Sequence, residues 1–202
     1  MAAKEPLPVS VYQQPSVEFA QYLIGCIMQV GRCSGRIVET EAYTGPPEDY
    51  ASHAYTRANS AAEIMQTAGR VYVYAIHAGV ATNITCNDGE AGAVLLRAIE
   101  PLTGIERMIH RRSRKNTKVS QTWNINDYQS LTTLTNGPSK LSEALGILIA
   151  WNNSAVGEHV ALFRRKGQPQ IVSSRRIGIS SSEDLEWRFC DPQSAFLSRT
   201  VR

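Results

Sequence analysis

A single α+β domain, with a curved, largely antiparallel β-sheet core and flanking helices, is the fold class this sequence predicts. Three observations lead to it. Several short runs concentrate β-branched and aromatic residues as strands do, among them Arg36 to Tyr43, Val71 to Ile76 and Ala93 to Pro101. Apolar residues recur at helical spacing in three other stretches between these strands and beyond them. With 202 residues, 43% apolar content and no break in composition, the chain suits one domain spanning residues 1–202 with a substantial core.

Taken in order, residues 1–10 read as a flexible N-terminus. Pro15 opens a short helix carrying Phe19, Tyr22, Leu23 and Cys26, which runs into a strand pair near Ile27 to Val38 turned at Gly31. The octet Arg36-Ile37-Val38-Glu39-Thr40-Glu41-Ala42-Tyr43 follows. Strand side chains repeat every two residues, so strict alternation sets Ile37, Glu39, Glu41 and Tyr43 on one face. Carboxylates on a strand face are either solvated or held for chemistry, because a buried carboxylate is costly unless hydrogen-bonded. Gly45-Pro46-Pro47-Glu48-Asp49 is a turn by composition and leads to Ser52-His53-Ala54, which returns an imidazole soon after the acid and the aromatic.

Val71 to Ile76 is a strand with Tyr72 and Tyr74 on one face, and Ala93 to Pro101 is an apolar strand interrupted by the lone Arg97. After Pro101, the spacing of Leu102, Ile105, Met108 and Ile109 predicts a helix. Asn116 to Leu131 is polar and irregular and reads as a mobile loop. Asn136-Gly137-Pro138-Ser139-Lys140 looks like a helix-capping turn, and Lys140 to Leu148 reads as a helix with Leu141, Ala144, Leu145 and Leu148 on one face. The remainder is short strands and loops.

No apolar stretch approaches the length of a membrane span, and Met1 to Pro6 lacks the apolar core of a signal peptide, so a location inside the cell is expected. Cys26, Cys33, Cys86 and Cys190 form no Cys-x-x-Cys pair, which argues against a zinc cage and fits four free thiols. The net charge of +3 is unevenly spread. Arg107, Arg111, Arg112, Arg114, Lys115 and Lys118 crowd one segment, and Arg164, Arg165, Lys166, Arg175 and Arg176 another. Such clusters are either solvated faces or phosphate-neutralising patches for nucleic acid.

The ordered set formed by Glu39-Thr40-Glu41-Ala42-Tyr43, Ser52-His53-Ala54, Val71 to Ile76, Asn83-Ile84-Thr85, Arg97, Asn136 to Leu141, Ser174-Arg175-Arg176-Ile177-Gly178-Ile179 and Trp187-Arg188-Phe189 resembles the alkyladenine (3-methyladenine) DNA glycosylase family, from about Tyr12 to Phe189. The resemblance implies a monofunctional glycosylase that starts base excision repair. Its substrates would be alkylated purines in duplex DNA, 3-methyladenine and 7-methylguanine, with hypoxanthine and ethenoadenine as further candidates. The partner would be damaged double-stranded DNA, with no membrane, cofactor or metal, and the enzyme a monomer in the cytoplasm and nucleoid or in the nucleus.

By the same resemblance, the nucleotide is flipped out and its base held between aromatic faces. His53 and Tyr74 sandwich the purine with Tyr43 beside it, and a cationic alkylated base gains from electron-rich rings. Glu41 deprotonates the water that attacks C1′, and Arg97 orients that carboxylate. Ile177 offers a backbone carbonyl to the water, and Gly178 lets DNA approach closely. Asn83 crowds the pocket floor against the amino group of guanine. His77 is the wedge in the vacated gap. Lys140 either touches a phosphate or serves the helix cap alone, and the basic clusters, apart from the resemblance, make Arg111, Arg112 and Arg176 the expected DNA contacts.

Glu39 lies roughly 6.5 to 7 Å from Glu41 along the strand, yet neighbours on one strand face do not flank a scissile bond, so Glu39 is read as structural or as a support behind the residues that do the chemistry. Tyr72 is assigned to core packing. No lysine falls on the catalytic strand, so no Schiff-base lyase step is expected. Two departures from the family pattern stand out: Thr56-Arg57-Ala58-Asn59 with Ile64-Met65, and the shortened wedge loop His77-Ala78-Gly79-Val80. Two other functions compete. A non-catalytic nucleic-acid-binding module would keep the basic clusters without needing an acid beside stacking rings, and a metal-dependent hydrolase would need ligand spacings that Glu41, His53 and His77 do not form.

Overall fold

The computed structural model describes residues 4–77, 79–86, 90–115 and 123–201. Two short helices, α1 (Val9–Tyr12) and α2 (Ser16–Leu23), precede the hairpin β1 (Ile27–Val30) and β2 (Cys33–Thr44). Helices α3 (His53–Thr56) and α4 (Ala58–Met65) lead to β3 (Arg70–Ile76), β4 (Gly79–Thr85) and β5 (Gly92–Thr103). Helices α5 (Ile105–Lys115), α6 (Tyr128–Leu131) and α7 (Pro138–Leu145) follow. A 3-10 turn (Ile149–Trp151) precedes β6 (Ser154–Ala155), β7 (Ala161–Phe163), β8 (Val172–Ser174) and β9 (Arg188–Cys190).

The strands form one antiparallel sheet in the order β6-β3-β4-β5-β2-β1-β7, with β9 bridging β2 and β8. The expected α+β class is therefore the observed one. Strand β2 is the axis of the molecule. Its first half pairs with β1 and its second half with β9, while β5 runs along its whole length. Glu39 and Glu41 are thus flanked on both sides by other strands, and neither has exposed surface.

Register shifts between β2 and β5 fall at Ser34/Gly35 and around Val38, and such bulges bend a strand and redirect side chains. Strict alternation fails there: Ile37 joins Val38 and Ala42 in the main core, while Glu39, Glu41 and Tyr43 point to the opposite face. The main core covers one face, where Phe19 and Leu23 of α2 and Leu141 and Leu145 of α7 pack with Val71, Val73, Val94 and Leu96. A small cluster of Ala61, Met65, Tyr72 and Ala93 lies on the other face, as the strand period requires.

Several sequence expectations shift. Strand β5 runs through Pro101 to Thr103, leaving Leu102 46% exposed, and the helix begins only at Ile105. Helix α7 ends at Leu145 because Gly146 takes a left-handed φ of 75° that stops the helix, so Leu148 lies beyond it and is 55% exposed. Cys26 sits after α2 rather than within it. The N-terminal segment is not free from Glu5 onward: Leu7 is buried, its N–H donates to Leu162 O, and Glu5 O accepts from Arg164 N–H.

Of the loop expected over residues 116–131, residues 116–122 lie outside the described residues. The rest is ordered by side chains: Asp127 caps α6 through Gln129 N–H, and the Trp123 indole donates to Thr133 Oγ1. All four cysteines are buried free thiols. Among the described residues, no helix is long and apolar enough to cross a membrane.

Candidate active site

Glu41 gathers three donors. Its Oε1 accepts the Ile177 backbone N–H at 2.7 Å, its Oε2 accepts the Tyr43 hydroxyl at 2.9 Å, and Arg97 Nη1 lies 3.3 Å from Oε2. Tyr43, Arg97 and Ile177 in turn line a cleft of about 470 Å³, so the carboxylate stands directly behind the cleft wall. Burial pushes the Glu41 carboxyl above the ordinary range, and nearby Glu39 adds to this. Arg97, the Ile177 amide and Tyr43 pull the other way without restoring the usual value. A carboxylate whose proton affinity is raised, with lone pairs left after three donors, suits proton abstraction from water near neutral pH.

Arg97 does not serve Glu41 alone. Its Nε donates to Glu39 Oε1 at 2.9 Å and its Nη2 to Ser198 Oγ at 3.2 Å, so one guanidinium spans both acids. Glu39 also accepts from Arg188 Nε at 2.8 Å and from Ser198 N–H and Oγ–H, each at 2.6 Å. Burial acts to raise its carboxyl, but Arg97, Arg188 and Ser198 outweigh burial and hold it below the ordinary range. The structural reading of Glu39 fits this arrangement.

On the aromatic side, Tyr43, His53, Tyr72, Tyr74 and Asn83 all line the cleft. His53 Nδ1 bonds the Tyr72 hydroxyl at 2.8 Å, and Asn83 Nδ2 donates to Tyr72 O at 3.2 Å. Tyr72 is a core residue by burial, yet it also fixes the imidazole, a role the sequence reading missed. Burial, then Arg57, push His53 down to about 4, so its ring is neutral at pH 7. The His53 and Tyr74 rings touch edge-to-face with centroids 4.3 Å apart. No base fits between them as they stand, since a sandwiched purine needs about 7 Å, twice the ~3.5 Å carbon contact distance. The Arg57 guanidinium lies 5.2 Å from the Tyr74 ring centroid.

Arg176 corrects an expectation. Its side chain has no exposed surface and grips Asp49 through two bonds of 2.7 and 2.8 Å, with a third bond to Ala42 O. It stacks 4.6 Å from the Tyr43 ring centroid, so it holds that tyrosine in place and cannot reach a phosphate. Arg111 donates to Ala144 O at the end of α7, and Arg112 is buried against Glu143 and Trp123. These two are also structural, because an amphipathic helix turns part of its basic sequence inward, while Arg107 and Arg114 are exposed on α5.

His77 is exposed at the turn of the β3–β4 hairpin, whereas Val80 packs against the core. Lys140 is half-buried and donates to Asn136 Oδ1 at 2.8 Å. Gly178 lines the cleft with a φ of +78°, a conformation that favours glycine. Ile177 meets Glu41 through its backbone N–H. Among the described residues, no three His, Cys, Asp or Glu side chains are grouped to hold a metal ion.

A buried acid with raised proton affinity, paired with an arginine behind an aromatic cleft, is an arrangement suited to hydrolysis by water. Residues 10–195 match the profile of the methylpurine-DNA glycosylase family. Relatives named as 3-methyladenine DNA glycosylases include one from Bacillus licheniformis, 36% identical over 98% of both chains, and one from Agrobacterium fabrum, 38% identical over 96% of this chain and 92% of that protein. Another, from Rhizobium johnstonii, is 37% identical over 95% of this chain and 88% of its own length. The chain belongs to the methylpurine-DNA glycosylase family, enzymes that hydrolyse N-glycosyl bonds.

Proposed function

We propose that this enzyme excises 3-methyladenine and 7-methylguanine from duplex DNA by flipping the damaged nucleotide into the cleft and directing water at C1′. The observation that carries the proposal is Glu41: a fully buried carboxylate with three donors, just behind the wall of an aromatic cleft. Glu41 takes a proton from the water, and its charge stabilises the positive sugar that forms as the bond breaks. Arg97 and the Ile177 amide hold the carboxylate in register.

The base stacks on Tyr74 with Tyr43 at its side. His53 must first move off Tyr74 by about 3 Å to admit a ring at contact distance. A cationic alkylated purine is attracted to these faces and departs readily as a neutral base; neutral hypoxanthine and ethenoadenine lack that attraction, which makes them slower candidates. Asn83 on the cleft floor crowds the amino group of ordinary guanine. His77, at the exposed hairpin turn, fills the gap left in the duplex, and Lys140 faces a phosphate. The protein acts as a monomer, without a cofactor, where the cell keeps its DNA.

Release of 7-methylguanine from a methylated duplex tests the reading, with Glu41→Gln as the control that keeps shape but cannot take a proton. Release by wild type and loss in the variant support it. Comparable rates in both would remove Glu41 from the mechanism.

A further inference from the structure

The two buried acids compete for one guanidinium, and the group that arbitrates comes from the far end of the chain. After β9 the chain turns at Asp191, whose N–H donates to Val38 O, and Phe196 anchors it in the core. That path delivers Ser198 to Glu39. The Ser198 hydroxyl donates to Glu39 Oε1 at 2.6 Å and accepts from Arg97 Nη2 at 3.2 Å, while its N–H donates to Glu39 Oε2 at 2.6 Å. Arg188 secures the same stretch from the other side, with Nε on Glu39 and Nη2 on Arg199 O.

We propose that Ser198 is a positioning residue: by satisfying Glu39 and holding one arm of Arg97, its hydroxyl keeps the other arm directed at Glu41. The proposal rests on the reading of Glu41 as the general base. Without the hydroxyl, Glu39 keeps its charge with one donor fewer and draws Arg97 toward itself. Glu41 then loses part of the positive charge that favours its ionised form. The groups facing Glu41 are otherwise Tyr43 and Glu39 on its own strand, Arg97 on β5, Arg188 and Cys190 on β9, Tyr74 on β3, and the Ile177 N–H. Arg176 acts on it only through Tyr43.

The test titrates the Glu41 carboxyl carbon by NMR in wild type, Ser198→Ala and Ser198→Thr, assigning the signal by its absence in Glu41→Gln. Single-turnover release of 7-methylguanine is followed against pH on the same proteins. In Ser198→Ala the midpoint should move up by roughly half a pH unit, because the change reaches Glu41 only through Arg97. The acid limb of release should move with it, and Ser198→Thr should restore both. A Ser198→Ala titration that overlays wild type overturns the proposal, and a lowered melting temperature with an unmoved midpoint shows a mere tether. If wild type releases no base, or Glu41→Gln releases it equally fast, the general-base reading fails instead, and the carboxyl titration still decides whether Ser198 sets the arrangement.

Discussion

Glu39 and Glu41 stand two residues apart on one face of one strand, both without exposed surface, and their surroundings drive them in opposite directions. Glu39 receives two arginines, a hydroxyl and an amide, enough to outweigh its burial. Glu41 receives a tyrosine hydroxyl, an amide and the more distant arm of the shared arginine, which is not enough. Burial alone therefore does not make a catalytic acid. The number and charge of the donors decide whether a buried carboxylate serves the fold or remains free to take a proton.

The sharpest break of this comparison is to neutralise each acid in turn. Glu41→Gln should lower base release by roughly a thousandfold, within the span of general-base catalysis. Its melting temperature at pH 7 should hold or rise. A carboxyl raised in the folded state adds stability only below its unfolded pKa, and loses that contribution as pH rises through the folded value. Glu39→Gln should do the reverse: a stability loss of about 3 kcal/mol or more in urea unfolding at pH 7, because two buried arginines lose their partner. Glu39 is held low in the fold, so its contribution is full above the unfolded value near ~4.3 and fades as pH falls through the folded one. The gap between wild type and Glu39→Gln should therefore narrow in unfolding curves measured below about pH 4.

The same contrast between inward and outward charge applies to the arginines of α5. Arg112→Ala should reduce unfolding free energy by about 2 kcal/mol, since Glu143 is left unpaired, without altering the salt dependence of DNA binding. Arg107→Ala and Arg114→Ala should each lower the log-log salt slope by about one unit if α5 faces DNA, with little change in melting temperature. Unaltered slopes in both would place α5 away from the duplex.

Smaller effects probe the aromatic side. Proton NMR should find the His53 midpoint at about 4, and Arg57→Ala should raise it while leaving it below the ordinary value near ~6.5, because burial is the larger cause. A wild-type midpoint near that ordinary value would mean an imidazole exposed to water. His77→Tyr should tighten binding to a lesion-bearing duplex about fivefold, equivalent to ~1 kcal/mol of stacking, and leave single-strand binding unchanged. Equal gains on both substrates would show that the hairpin turn does not enter the stack.

The face that carries Glu41 and Tyr43 was legible in sequence because a strand has a period of two: the two must project together, and an arginine inside an apolar strand needs an acid. The same rule misplaced Ile37, since a bulge at Val38 adds a residue without any signature in composition. Arg111, Arg112 and Arg176 looked like phosphate contacts because a basic residue reads alike whether it faces solvent or a partner within the fold. Only packing separates the two, through Ala144 O, Glu143 and Asp49.

By itself, then, the sequence determined the α+β class, the strand that carries the acid, and the set of rings and polar groups available to the cleft. Local periodicity and side-chain chemistry suffice for those, as they act over a few residues. Tertiary structure alone decided which acid is saturated and which is not, that His53 rests against Tyr74, and that Ser198, 159 positions from Glu39, completes the network. A carboxylate's proton affinity depends on every donor within a few ångströms, and here, beside Tyr43 on the same strand, those donors come from four other segments that only the fold brings together.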